Sequence, residues 1–305
     1  MSCLARLALA VALTAASLVP AHAADKTAMS QTDLLGREIG FGIGQTALDT
    51  AAAGVWLGAS TGRSTVDPSG GQETDTDRRN VVLGYGFGET GFSAFAGYGQ
   101  GASELADDIH KARIRSYFLG LTYGRTVGRL AFDGAAYVGR SHNVIDSPDT
   151  ATGAADRDGR LLGLTLRGSG MLMDDGAGHG IDFVVQGDAL HHTTKAYPVS
   201  GLPGATVDER DSTATALRLE VGAPMTAAGA SLRPFLGLTA FGGQQDEIAV
   251  SGKAPFDAVD VLSKTQMSLG MSFKAQALNG LGGRVELTSD DKGHTGFNAG
   301  FSLNF

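Results

Sequence analysis

Gly293-His294-Thr295-Gly296-Phe297-Asn298-Ala299-Gly300-Phe301-Ser302-Leu303-Asn304-Phe305 alternates with a period of two. Thr295, Phe297, Ala299, Phe301, Leu303 and Phe305 fall on one face, and His294, Gly296, Asn298, Gly300, Ser302 and Asn304 on the other. Successive side chains of a strand point to opposite sides of its sheet, so one face is apolar and the other small or polar. About ten residues of this kind is the length of a tilted strand crossing hydrocarbon.

The same pattern recurs toward the start of the chain. Leu262 to Gln276 sets Met267, Leu269, Met271 and Phe273 against Lys264, Gln266, Ser268, Ser272 and Lys274. Thr213 to Ala223, Arg160 to Leu172 and the stretch around Val285 and Leu287 alternate likewise. Weaker segments begin near Gly54, Asn80, Gly91, Ala112, Gly128, Ile181 and Leu232, about twelve strands in all, an even count that suits a closed barrel. Alternation alone does not separate a soluble sandwich from a membrane barrel, but the connections do. Ser64–Arg79, Gly101–Lys111, His142–Arg160, Thr193–Ser212 and Gly243–Asp260 are long; the links between them are short, and only Asp290–Gly293 breaks the order. Long extracellular loops and short periplasmic turns sort in this way, whereas a sandwich has no reason to do so.

Composition agrees. Among 305 residues, 45 are Gly, about twice ordinary usage and without a collagen period. The net charge of −8 and the absence of basic runs argue against nucleic-acid binding. Residues 1–23 read as a signal peptide, with Arg6, an apolar run from Leu7 to Val19 and the Ala21-His22-Ala23 cleavage site. Cys3, the only cysteine, lies within it, so a mature chain would carry no thiol for a disulfide, a nucleophile or a metal. Beyond Ala23 no apolar run is long enough for a membrane helix. Closure of a sheet is then the one way to satisfy the backbone inside lipid.

Several stretches together resemble the translocator (β) domain of bacterial autotransporters. They are Ala53-Gly54-Val55-Trp56-Leu57-Gly58, Phe95-Ala96-Gly97-Tyr98-Gly99, Tyr137-Val138-Gly139-Arg140-Ser141, Leu232-Arg233-Pro234-Phe235-Leu236-Gly237 and the closing Phe305. The resemblance covers residues 53–305 and implies an all-β fold: an antiparallel 12-stranded transmembrane up-and-down barrel in the outer membrane. It further implies handling by periplasmic chaperones, insertion by the barrel assembly machinery with Phe301, Leu303 and Phe305 as the C-terminal assembly signal, a lipid surround and a monomeric state. The expected role is a non-enzymatic pore or translocator-like component without cofactor or metal. Surface-loop adhesion or ligand binding is the alternative, and a lipid hydrolase or protease a lesser one. The chain departs from the family in having only residues 24–52 where a long passenger would stand, and these contain no Asn for self-cleavage. This short segment has two helix-forming stretches, Gln31 to Glu38 and Gln45 to Ala53, separated by glycines that each cost about 1 kcal/mol in a helix. It reads either as a lumen helix or as a flexible periplasmic tail.

On the polar faces of the strands, Arg167, Asp188 (or Asp182), Arg218, Glu220, Lys264, Lys274, Arg284 and Glu286 are the lumen-charge candidates, able to brace the interior, grip the N-terminal segment or set ion preference. Asp188, His191 and His192, together with Asp107, Asp108 and His110, form rim groups that superficially suit water activation. Ser141-His142-Asn143 contains the residue types of a lipid hydrolase, but neighbours on a strand face opposite ways. Asp174-Asp175 and Asp290-Asp291-Lys292-Gly293 read as turns rather than calcium sites. Trp56, Tyr85, Phe87, Tyr117, Tyr123 and Phe305 read as interfacial anchors. A barrel of this kind is expected to migrate differently on a denaturing gel before and after boiling; identical migration in a sample extracted without denaturant would count against it.

Overall fold

The computed structural model describes residues 31–66, 73–106, 111–146, 155–174, 180–198, 206–227, 229–243, 247–248, 250–251, 256–257, 263–275 and 280–305. Twelve strands build the wall: β1 (Gly54–Val66), β2 (Thr74–Gly86), β3 (Phe92–Leu105), β4 (Lys111–Val127), β5 (Leu130–Asp146), β6 (Ala155–Asp174), β7 (Gly180–Thr194), β8 (Arg210–Gly222), β9 (Ala230–Gly242), β10 (Thr265–Ala275), β11 (Gly282–Asp290) and β12 (Thr295–Asn304). Each pairs antiparallel with the next. β12 returns to β1 in a register running from Trp56↔Asn304 to Thr65↔Thr295, so the sheet closes. The Phe305 N–H donating to the Val55 carbonyl extends this seam.

The apolar side chains face outward. On β4, Tyr117, Leu119 and Leu121 are 65%, 66% and 58% exposed, while their neighbours Ser116 and Phe118 are buried inside. Leu83 and Tyr85 on β2, Val138 on β5, Leu162, Leu164 and Leu166 on β6, and Phe297, Phe301 and Phe305 at the C-terminal end repeat the arrangement. Leu303 shares that face and is half-buried. Water would not tolerate so continuous an apolar belt; lipid tails solvate it without cost.

Several strands run further toward the long loops than their alternation predicts, whereas β10, at Thr265–Ala275, is shorter than the expected Leu262–Gln276. β2 begins at Thr74 rather than near Asn80, β6 at Ala155 rather than Arg160, and β8 at Arg210 rather than Thr213. These extra residues are polar on both faces, so no change of hydropathy marks where the strand starts. The wall is also uneven: β4, β5 and β6 have 17, 17 and 20 residues, β10, β11 and β12 only 11, 9 and 10.

A single unbroken α-helix, α1 (residues 31–50), stands inside this wall. It replaces the two short helices that the glycines at 36, 40, 42 and 44 suggest. Those glycines are where the helix meets the wall: a side-chain carbon at Gly40 would meet Leu190, one at Gly42 Asn80, and one at Gly44 Thr165 and Tyr137. Leu35, Ile39, Ile43 and Ala47 form one buried ridge of α1. Opposite them β3 presents Gly101, Gly99 and Gly97, against Leu35, Ile39 and Ile43 respectively. Four helical residues rise about 6 Å and two strand residues about 6.7 Å, so ridge and groove stay in step for two repeats. Trp56, read from sequence as an interfacial anchor, is instead wholly buried in this interior core beside Phe95, with ring centroids 6.3 Å apart. Its position in β1 is on the inward parity, shared with Gly58 and Ser60, and that parity overrides the preference of the residue type for interfaces.

The inverted packing predicts that Leu119→Arg, at the middle of the outward belt, destabilises the barrel by about 2–4 kcal/mol in a denaturant titration performed in lipid vesicles. Ser116→Ala, on the inward face of the same strand, should change the unfolding free energy by less than about 1 kcal/mol.

Candidate functional site

The lumen has two unlike halves. Against β2–β7 the ridge of α1 meets Val82, Phe95, Ala112, Ile114, Phe118, Tyr137, Leu161 and Leu190 in a dry core. Tyr137 donates its hydroxyl to the Gly40 carbonyl at 2.8 Å. Against β8–β12 the helix leaves a cavity of about 650 Å³. Its lining runs from Ser64, Ser263, Asp290 and His294 at the long-loop mouth to Pro224, Lys274 and Gly280 at the short-turn mouth.

Polar contacts along its length hold α1 in place. Near the helix start, Arg157 and Arg210, from the outer ends of β6 and β8, donate to Thr32 and Asp33. One turn further, Arg78 on β2 donates to the Glu38 carbonyl at 3.1 Å and to Asn298 on β12. At the inner end Arg167 is hydrogen-bonded to Asp49 and, at 2.8 Å, to the Leu48 carbonyl, with Asp133 at 3.4 Å. A cation thus sits at the helix C-terminus, where it is favourable to the helix dipole. The N-terminal end of α1 lies at the long-loop mouth.

The polar half contains a second network. Arg218 donates to Glu220 at 2.6 Å and to Glu286 at 2.8 Å; Arg284 donates to Glu220 at 2.6 Å and to Glu286 at 3.1 Å. Arg233 donates to Glu220 at 2.9 Å and to Asp182 at 2.8 Å. Three guanidiniums and three carboxylates from β7, β8, β9 and β11 neutralise one another, and Arg284 also lies 3.9 Å from the centre of the Phe235 ring. Among the described residues, seven Arg or Lys and eight Asp or Glu side chains line the cavity, so its net charge is small.

Of the eight charges expected in the lumen, seven line this cavity and Lys264 does not. Lys264 is exposed just outside β10, and its backbone N–H is held by Asp291. Asp188 is buried between Thr165, at 2.7 Å, and Gln186, at 3.0 Å, a neutral cradle. Sequence reading passed over Arg78, Arg157 and Arg210, because they stand on the strand extensions read as loop, and Arg233, because Phe235 and Phe241 share its inward face and blur the alternation.

Among the described residues the rim groups do not assemble a reaction centre. His191 is exposed, 3.8 Å from Asp211, whereas His192 is buried against Gly36. Asp107, Asp108, His110 and Asp175 lie outside the described residues. Ser141 and His142 do face opposite sides, and Ser141 instead meets His192 at 3.1 Å. Asn143 donates to Ser141 at 3.2 Å rather than orienting the imidazole, and all three are buried beneath α1. At the last outer turn Asp290 accepts the N–H groups of Lys292 and His294. Asp291 accepts those of Lys264 and Thr265; slight burial works against its ionisation, but these donors hold its carboxyl below the usual range.

No protein-family model matches the sequence, and no curated protein matches it. Solved structures do share the fold. The translocator domain of the autotransporter NalP from Neisseria meningitidis is similar at a TM-score of 0.59 and 18% identity, over 91% of this chain and 97% of that one. The transport unit of the autotransporter AIDA-I from Escherichia coli is similar at 0.61 and 13% identity, over 85% and 92%. The COG4313 outer membrane channel from Pseudomonas putida F1 is similar at 0.51 and 14% identity, over 84% and 97%. At these identities the likeness extends to the closed barrel.

Glu220 binds three arginines, so Glu220→Ala leaves guanidiniums unneutralised beside a low-dielectric wall. It is expected to lower stability by about 3 kcal/mol in a chemical denaturation series, several times the effect of Lys274→Ala on the exposed side of the cavity.

Proposed function

We propose that this chain is an outer-membrane barrel of translocator type that carries its own N-terminal segment through the lumen and leaves a narrow water path beside it. The observation that supports this best is the direction of α1, whose N-terminal end lies among the outer ends of β6 and β8 while its C-terminal end joins β1 at the short-turn mouth. A helix oriented this way requires the chain ahead of it to have crossed from the periplasmic to the outer side. The anchors Asp33–Arg210 and Asp49–Arg167 then hold α1 at both ends, so the segment stays seated instead of sliding. The cavity along β8–β12 is wide enough for water and small ions, and its balanced charge favours neither sign strongly. The shared fold with translocator and channel barrels supports the same reading, and it is non-enzymatic.

Two measurements test it. An epitope placed ahead of Thr32 should be labelled on intact cells; labelling only after permeabilisation would reverse the topology and remove the proposal. In planar bilayers the intact barrel should pass small, steady currents, and deletion of residues 31–50 should raise them several-fold because the helix fills the lumen beside β2–β7.

A further inference from the structure

The outside of the barrel carries a feature that neither the lumen nor its helix uses. Arg79 on β2, Arg115 on β4, Arg140 on β5 and Arg160 on β6 all point outward and are exposed. They stand at the outer edge of the apolar belt: Arg79 precedes Val81 and Leu83, Arg115 precedes Tyr117 and Leu119, Arg140 follows Val138, and Arg160 precedes Leu162 and Leu164. None of the four has a hydrogen bond or ion pair among the described residues. The outward carboxylates nearby are engaged elsewhere: Asp158 with His142 at 3.4 Å, Glu104 with Lys111 at 2.9 Å, Asp75 with Arg63 at 3.2 Å, and Asp211 with His191.

The register concentrates three of these arginines. Arg140 and Arg160 are direct cross-strand partners. Arg115 opposes His142 while Arg140 opposes Tyr117, which makes Arg115 and Arg140 diagonal neighbours about 7–8 Å apart at the backbone. Like charges directly opposite each other on a sheet destabilise it, and Asp158, two residues before Arg160 on the same face, is bonded to His142 at 3.4 Å and to neither arginine. Tyr98 and Tyr117 pack beside the cluster with ring centres 5.2 Å apart and planes tilted by 52°. At the outer ends of β10, β11 and β12 the corresponding outward positions carry Thr265, Ser289 and Thr295, so the basic face is confined to the tall side of the wall.

We propose that Arg115, Arg140 and Arg160 bind the phosphate groups of a phosphorylated glycolipid in the outer leaflet, whose acyl chains lie along Tyr117, Leu119, Val138 and Leu162. Guanidinium and phosphate match in bidentate geometry, and a phosphate between Arg140 and Arg160 converts a repulsive pair into a bridged one. An exposed apolar strip immediately below the charges is what a lipid requires and a soluble phosphate does not. This inference rests on the outer-membrane reading above.

The test uses the full chain refolded into phosphatidylcholine vesicles containing a small fixed fraction of lipid A, followed by detergent extraction and measurement of lipid A bound per barrel. The wild type should retain lipid A, with retention falling as salt rises, and should retain the dephosphorylated lipid at least about tenfold less. Arg115→Gln/Arg140→Gln/Arg160→Gln should lose about tenfold in retention, while Arg125→Gln/Arg129→Gln, outward at the opposite end, should match the wild type. Boiling-dependent gel migration verifies that each variant is folded, and the wild-type comparison of the two lipids stands even where a variant is not. Equal retention of phosphorylated and dephosphorylated lipid, or an unaffected triple variant, overturns the proposal while leaving the barrel assignment intact. A chain that never enters phosphatidylcholine vesicles overturns the membrane reading and this proposal with it.

Discussion

Everything in this molecule depends on backbone N–H and C=O groups finding partners within the sheet itself, because hydrocarbon offers them none. The pairing of β12 with β1 removes the last two open edges. Once the wall is closed, side-chain parity does the rest: each strand has one face for lipid and one for the interior, and a shift of one residue would exchange them. The buried Trp56 and the exposed Phe301 follow this rule, although their residue types alone would not separate them.

The interior then divides into a dry contact and a wet one. Along β3 the glycines at 97, 99 and 101 leave a groove into which Leu35, Ile39 and Ile43 fit at nearly equal spacing. Along β8–β11 the wall instead carries arginines and glutamates that pair with one another. The abundant glycine, which by composition only suggests turns and tight packing, has a specific use on the first side. The charges expected to solvate a lumen have theirs on the second. A helix seated by shape on one flank and by ion pairs at its two ends fills part of the bore and leaves a cavity beside it.

Much of the fold was legible in the sequence because alternation, loop asymmetry and the lack of long apolar runs each constrain the same architecture. Where legibility failed, the physical reason is local. Strand extensions such as 74–79 and 155–159 lie beyond the apolar belt and need no hydrophobic face, so their parity is hidden and Arg78 and Arg157 with it. The glycines of α1 argue against a helix in isolation, yet the wall they touch exists only in the closed barrel. Arg167, Arg218, Glu220, Arg284 and Glu286 were visible because each alternates with leucine or valine. Asp33 and Asp49, the partners of Arg210 and Arg167, come from the N-terminal segment, whose placement no strand pattern reveals.

The unequal heights of the wall have a mechanical consequence. A strand of nine residues, such as β11, spans about 30 Å along its own axis and roughly 23 Å when tilted, whereas the 20 residues of β6 reach well beyond any bilayer core. The short strands β10–β12, of 11, 9 and 10 residues, therefore just cross an apolar band of about 25 Å, while β4–β6 carry their outer residues clear of it. The low side of this sloping rim includes the β12–β1 seam, where ten paired residues hold the sheet shut against the seventeen that join β4 to β5.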